Sequence, residues 1–295
     1  MRRIAAVPTA LLAAGAAGLG YAALVERNAF TLRRYNVPGV LPRGSAPLRV
    51  LHLSDIHMRP DQRRKQDWVR SLAELRPDLV VNTGDNLASA NGVPATLDTL
   101  SAFAGLPSVF VLGSNDYFAP KAKNPLKYFF PNHKRVAGGP NPWRDLVAGL
   151  RDLGWADLTN RRTTVDVSGA KVDVVGVDDP HLKRDDPAVA AVPADPGADL
   201  RLALVHAPEP RVLDLYAAGG YQLMFAGHTH GGQLRVPFYG ALVTNCGIDR
   251  ARARGLSRWG DAWLHVSAGL GTSPFAPVRF ACRPEASLLT LTAAD

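Results

Sequence analysis

Five times in this chain an apolar run breaks off at a short cluster of polar residues: LSDIH at 53–57, TGDN at 83–86, LGSND at 112–116, VHAP at 205–208 and AGHTH at 226–230. No other feature restricts the fold as strongly. Apolar runs of about four to eight residues bounded by turn residues read as buried strands. A polar cluster that repeatedly follows such a run marks strand ends gathered along one edge. One Asp after a strand usually caps the next helix, and one His usually sits satisfied in a core or on the surface. Five such endings together place Asp55, His57, Asp85, His206, His228 and His230 side by side.

The segments between them support that placement. Strands at 48–54, 79–83 and 108–112 alternate with helices at 62–75 and 96–103, a β-α-β-α-β order that predicts parallel pairing with the functional loops at the carboxyl ends of the strands. A helix at 143–153 follows. Strands at 163–167, 171–177, 200–205, 223–226, 263–267 and 288–291, with fewer helices between them, predict a second sheet packed on the first. The 295 residues suit one catalytic domain of roughly 200–250 residues plus an accessory segment, and 46% hydrophobic content excludes wholesale disorder. Cys246 and Cys282 are too few for a disulfide framework or a four-cysteine zinc site, though enough for one bridge.

Imidazoles and carboxylates without cysteine suit borderline divalent ions such as Mn, Fe, Zn or Co. Six ligands exceed what one tetrahedral ion needs. Two dications ~4 Å apart repel by about 17 kcal/mol at an effective dielectric of 20, so a pair requires an anionic bridge, and Asp85 is the natural candidate.

The motifs D-x-H, G-D, a G-N-H-D-like turn, an isolated His before a proline region, and G-H-x-H, in this order from about Leu48 to Gln233, resemble the calcineurin-like metallophosphoesterase superfamily. GHTHGGQ at 227–233 is similar to its bacterial membrane-associated members. The resemblance implies an α/β four-layer α-β-β-α sandwich, two packed mixed sheets flanked by helices, with two divalent ions at the sheet edges. It implies Asp55, His57, Asp85 and His230 around one ion, and Asp85, His206 and His228 around the other. The chain departs from the family at Gly113-Ser114-Asn115-Asp116. Without a gap, Ser114 takes the place of the metal-binding Asn, and Asn115 that of the His that protonates the leaving group. With a one-residue shift, Asn115 is the ligand and Asp116 faces the substrate. Both alignments lose the histidine. His133, in a Lys-rich stretch with Lys121, Lys123, Lys127, Lys134, Tyr128, Phe129 and Phe130, is a further source of an imidazole, and Asp178, Asp179 and His181 close a strand nearby.

At the amino terminus, residues 4–25 carry no charge, enough as a helix to cross a hydrocarbon core of ~30 Å. Residues 1–26 are therefore expected to be a membrane anchor, a single transmembrane helix, with a cleaved signal peptide as the alternative. Arginines on both sides leave the orientation open. Pro38, Pro42, Pro47, Gly39 and Gly44 suggest an irregular tether over 27–47, leaving 48–295 as the catalytic domain. The net charge of +8 favours anionic partners.

The expected protein is a membrane-anchored, dinuclear phosphoesterase, most simply a monomer, hydrolysing a phosphodiester, pyrophosphate or phosphomonoester by attack of a metal-bound hydroxide. The anchor argues for lipid-linked or cell-envelope substrates. Two other readings stay open: a metal- or ligand-binding module that lost its general acid, and a nuclease. No basic helix or aromatic-studded sheet for nucleic acid is apparent in the sequence.

Overall fold

The computed structural model describes residues 13–122 and 138–294. Two six-stranded sheets carry the molecule. The first runs, edge to edge, β1 (Thr31–Leu41), β14 (Glu285–Ala293), β2 (Leu48–Leu53), β3 (Leu79–Asn82), β4 (Ser108–Phe110) and β5 (Ala156–Asp157). In it β2 to β5 are parallel, and β14 lies antiparallel to β2 and parallel to β1. The second runs β12 (Gly255–Trp259), β13 (Ala262–Val266), β9 (Leu223–Ala226), β8 (Leu200–Leu204), β7 (Ala170–Gly176) and β6 (Arg161–Val167). Its four central strands are parallel, and each edge is closed by an antiparallel hairpin.

Strand periodicity decides what lies between and outside the sheets. Val50, Val81 and Val109 point at the other sheet and meet Leu200, Leu202 and Leu204 there. Their neighbours Leu51, Val80 and Phe110 point the opposite way, onto helices α2 (Arg63–Ser71), α3 (Val93–Leu100) and α5 (Trp143–Asp152). On the far side Ala203, Val205 and Met224 pack with Ala190 of α6 (Pro187–Ala190) and with Val212, Leu213 and Tyr216 of α7 (Pro210–Ala218). Strands buried on both faces favour near-continuous apolar runs, which is why 48–54 and 200–205 are mostly apolar, with Arg49 and Arg201 near the strand starts, where burial is incomplete. The result is the α-β-β-α layering expected from the motifs.

The amino-terminal third of the chain differs from the expectation. Residues 31–41 are not a tether; they form β1, paired along β14 from Thr31–Glu285 to Val37–Leu291. Pro38 and Gly39 fall where the register shifts between Val37 and Leu41, and Gly39 has φ 77°. An edge strand tolerates a proline at such a bulge, because no ladder hydrogen bond is lost on the open side. The domain therefore includes residues that sequence reasoning placed outside it. Upstream, residues 13–20 form the described part of α1, followed by a π-helical turn at Tyr21–Val25 and a 3₁₀ turn at Glu26–Asn28. Among the described residues no helix is long and apolar enough to cross a membrane, and residues 1–12 lie outside them. This segment is fastened to the domain: Arg279 N donates to Ala22 O at 3.1 Å and Cys282 N donates to buried Glu26 Oε1 at 2.6 Å. Cys246 and Cys282 are separate thiols.

Candidate metal centre

The carboxyl ends of β2, β3 and β4 in one sheet and of β9 in the other bring four of the five polar clusters to the wall of a shared cavity of about 490 Å³, with His206 of the fifth, after β8, buried behind it. The backbone there is bent hard. Asp55, His57, Asp85, His228 and His230 all have positive φ, between 44° and 67°, a left-handed conformation that costs non-glycine residues about 1–2 kcal/mol each. The loops press so closely that a Cβ on Gly113 would lie 2.4 Å from Asp85 Oδ1, which accounts for the glycine that opens GSND.

Within this crush, one ligand atom from each of Asp55, His57, Asp85 and His230 lies within 4.8 Å of the others. His57 Nε2 is 3.3 Å from His230 Nε2 and 3.6 Å from Asp85 Oδ2, and His230 Nε2 is 3.5 Å from Asp55 Oδ1. Ligands about 2.1 Å from a common ion at right or tetrahedral angles stand roughly 3.0–3.4 Å apart, so these edges fit one divalent cation. On the opposite side, Asp85 Oδ1 is 3.5 Å from His206 Nε2, which is 3.3 Å from His228 Nδ1.

Hydrogen bonds fix which nitrogen faces inward. His206 Nδ1 donates to Thr83 O at 2.7 Å, leaving Nε2 toward Asp85, and His228 Nε2 is bound at 3.1 Å to Asn245 O, leaving Nδ1. Such outer partners set imidazole tautomers at metal sites. Burial holds His57 down to about 4 and keeps His228 and His230 well below the ordinary imidazole value. Burial also pushes Asp55 up to about 6, against the pull of His206. Burial opposes ionisation of Asp85 and of His206 alike, but their mutual attraction wins: the carboxyl is held well below its usual range and the imidazole well above. The cluster thus offers three neutral imidazoles, His57, His228 and His230, around an ionised Asp85, while His206 must give up its proton before it can ligate a cation.

The GSND turn forms the short helix α4 (Ser114–Tyr117). Asn115 reaches the cluster, its backbone N donating to Asp85 Oδ1 at 2.6 Å and its amide lying 2.5 Å from Asp85 Oδ2; turned over, that amide presents its oxygen at the same place. Ser114 lines the cavity but gives its hydroxyl to Asp179. Asp116 does not face the cavity. It is fully buried and accepts from Gly113 N, Asp85 N, Asn86 N and Leu87 N, tying the turns after β3 and β4 together. The alignment that turns Asp116 to substrate is thereby corrected: the backbone donors that surround the carboxylate hold it inside. Asp178 binds Tyr117 and Arg184, while His181 stands in the cavity wall with its ring 4.6 Å from that of His228. Lys121 is also in the wall; His133, Lys123, Lys127, Lys134, Tyr128, Phe129 and Phe130 lie outside the described residues.

Sequence reasoning missed Arg279. Its guanidinium is fully buried, donates to Ala268 O, Gly269 O and Gly271 O at 2.7–3.0 Å, and approaches His230 Nδ1 at 3.4 Å. Nothing in VRFACRP marks that arginine, since an isolated Arg in a loop is normally exposed.

A family model described as calcineurin-like phosphoesterase matches residues 48–232. The chain belongs to that family. Among curated calcineurin-like relatives it is 28% identical over 287 residues to phosphodiesterase YaeI of Escherichia coli K12, covering 96% of both chains. It is 27% identical to the metallophosphoesterase YkuE of Bacillus subtilis, covering 95% of this chain and 93% of that one. It is also 28% identical to the UDP-2,3-diacylglucosamine pyrophosphatase LpxG of Chlamydia trachomatis, covering 97% and 96%. For a calcineurin-like phosphoesterase, an Asp/His cluster at the sheet edges fits divalent-metal binding and hydrolysis of phosphoesters.

Proposed function

We propose that the chain is a dinuclear phosphoesterase that cleaves a phosphodiester or pyrophosphate bond, with phosphomonoesters as further candidates. One observation carries the reading: the two oxygens of Asp85 face opposite histidine sets, Oδ2 toward His57 and Oδ1 toward His206. Asp55, His57, Asp85 and His230 would hold one ion, and Asp85, Asn115, His206 and His228 the other. When bound, the ions would supply Lewis acidity to the phosphate and acidify a water. The chain's own residues do the rest. Thr83 O and Asn245 O orient His206 and His228, and the bent turns keep the ligand atoms in place before any ion arrives. His181 and the backbone around Asn115 face the space where a phosphate would sit.

The names of the relatives, a phosphodiesterase and a pyrophosphatase for a diacylated sugar nucleotide, support a diester or pyrophosphate and a lipid-linked or envelope substrate. The uncharged segment at residues 4–25 supports a place at the cell membrane. The test is metal analysis of the purified full chain together with turnover of nitrophenyl monoester, diester and nucleotide pyrophosphate substrates. Two equivalents of metal with diester or pyrophosphate turnover are expected; one equivalent would overturn the dinuclear reading, and metal without turnover would point to a binding module.

A further inference from the structure

Beside the metal cavity the surface turns apolar. Strands β10 (Arg235–Val236) and β11 (Gly240–Ala241) form a hairpin. At its tip Phe238 is 111% exposed and Tyr239 61%. Monomeric surfaces rarely spend aromatic residues this way without a partner. Other exposed apolar residues flank the hairpin. Leu234 bridges Phe280, Phe280 meets Tyr21 edge-on at 6.5 Å, and the latter belongs to the turn that ends the uncharged amino-terminal segment, where Leu24 and Val25 are also exposed. In the other direction, Leu234, Leu242 and Phe275 are exposed and also line the metal cavity.

Its rim is basic. Arg250 donates to the Tyr239 hydroxyl at 2.6 Å with its guanidinium over that ring, and together with Arg235 it lines a cleft beside the hairpin tip; Asp249 lines the same cleft and is paired with Arg252. Exposed aromatics framed by arginines complement an anionic lipid surface, where rings enter the interface and guanidinium groups meet phosphates. Arrival of the uncharged segment at the same face supplies a second, independent reason for that occupant. A protein partner would need none of this alignment with the segment.

The geometry points to docking of this face on an anionic phospholipid bilayer, with Phe238 among the acyl chains, Arg235 and Arg250 on lipid phosphates, and the metal cavity opening beside the bilayer. This contact is separate from any anchoring by residues 1–25, and it stands whether or not the cluster binds two ions. The test uses the full chain and vesicles of phosphatidylcholine with or without phosphatidylglycerol. A Phe238→Trp variant should show fluorescence quenching by brominated phospholipid beyond that of the wild type. Phe238→Asp combined with Phe275→Ser should weaken binding to anionic vesicles at least tenfold with an unchanged circular dichroism spectrum. Extra quenching absent at position 238, or vesicle binding unchanged in the double variant, would overturn the proposal and leave the amino-terminal segment as the sole lipid contact.

Discussion

His52 and His265 meet through their Nδ1 atoms, 2.8 Å apart, in the layer between the two sheets. His265 Nε2 has no partner, so the simplest arrangement has His265 Nδ1 donating to His52. His52 Nε2 then donates to Thr83 Oγ1 at 2.9 Å, Thr83 to Ser54 Oγ at 2.7 Å, and Ser54 to Asp55 Oδ2 at 2.6 Å. A line of neutral donors thus runs from the sheet interface to a candidate ligand and fixes which oxygen of Asp55 is left for a cation.

Acid should destabilise the protein through this pair. Burial keeps His52 well below its ordinary value and His265 down to about 3. As pH falls below about 6.5 the unfolded chain takes up protons that the folded chain refuses, so stability falls by about 1.4 kcal/mol per pH unit for each such histidine, until the folded value is reached. Urea midpoints measured between about pH 7 and about pH 5 should drop steeply in the wild type. In His265→Leu the slope should be smaller by about one histidine, whatever the change at neutral pH. An unchanged slope would contradict this assignment.

Asp85→Asn should cost more than any single histidine substitution. In the proposed dinuclear site, removing the charge would leave dications facing one another, whereas His57→Ala and His206→Ala would each take an imidazole ligand from one ion. Mass-spectrometric metal content should fall below half of the wild-type value, and turnover of a nitrophenyl diester by at least a thousandfold.

Ser114 and Asn115 should separate cleanly. Asn115 lies against Asp85, while the Ser114 hydroxyl is committed to Asp179. Asn115→Ala is expected to lower both metal content and kcat by about tenfold or more, and Ser114→Ala to change each by less than about threefold. The reverse order, read from the same metal titrations, would restore the ungapped alignment.

With no histidine at 114 or 115, proton delivery to the leaving group is weak, and general acids contribute roughly 10²–10⁴ in rate. Rates should therefore fall steeply as leaving-group pKa rises from nitrophenol to simple alcohols. His181, in the cavity wall beside His228, is the imidazole placed to soften that dependence. His181→Ala should slow alkyl esters and leave nitrophenyl esters nearly unchanged; equal loss on both would mean that it only supports His228.

Truncations should divide at Glu26. Removal of residues 1–20 spares Ala22 and Glu26, but removal of residues 1–26 takes away the acceptors for Arg279 N and Cys282 N. The longer deletion is expected to cost on the order of 1–3 kcal/mol, seen as a lower Tm, together with weaker metal retention, because the loop it loosens carries Arg279 to His230. Equal Tm values for the two truncations would refute the link.

Most of the site is legible from sequence because parallel strands finish on a common edge and their runs are mostly apolar. Asp55, Asp85, His206 and His228 needed only that rule. The failures have local causes. Pro38 and Gly39 look like turn residues, and only pairing with β14, more than two hundred residues away in sequence, shows that they sit at a bulge in an edge strand. No helix is expected from the sequence over 210–218, yet Pro210 occupies the first turn of α7, where its missing N–H costs nothing. The order of Ser114 and Asn115 depends on how α4 starts, a rotation of one residue that no apolar pattern records. Arg279 is buried because the backbone carbonyls of Ala268, Gly269, Gly271 and Cys282 converge on it, a circumstance set by the path of one irregular loop that no periodicity records.

Because β1 is stitched into the first sheet and Ala22 and Glu26 grip the Arg279–Cys282 loop, the catalytic body has no leash. The ligand cluster keeps a set distance and tilt from the turns at residues 21–26, like a tool bolted to its mount rather than hung from a cord. In the membrane-anchored protein proposed above, such a body would sweep a plane instead of a volume, and its substrates would have to come within reach by lateral diffusion.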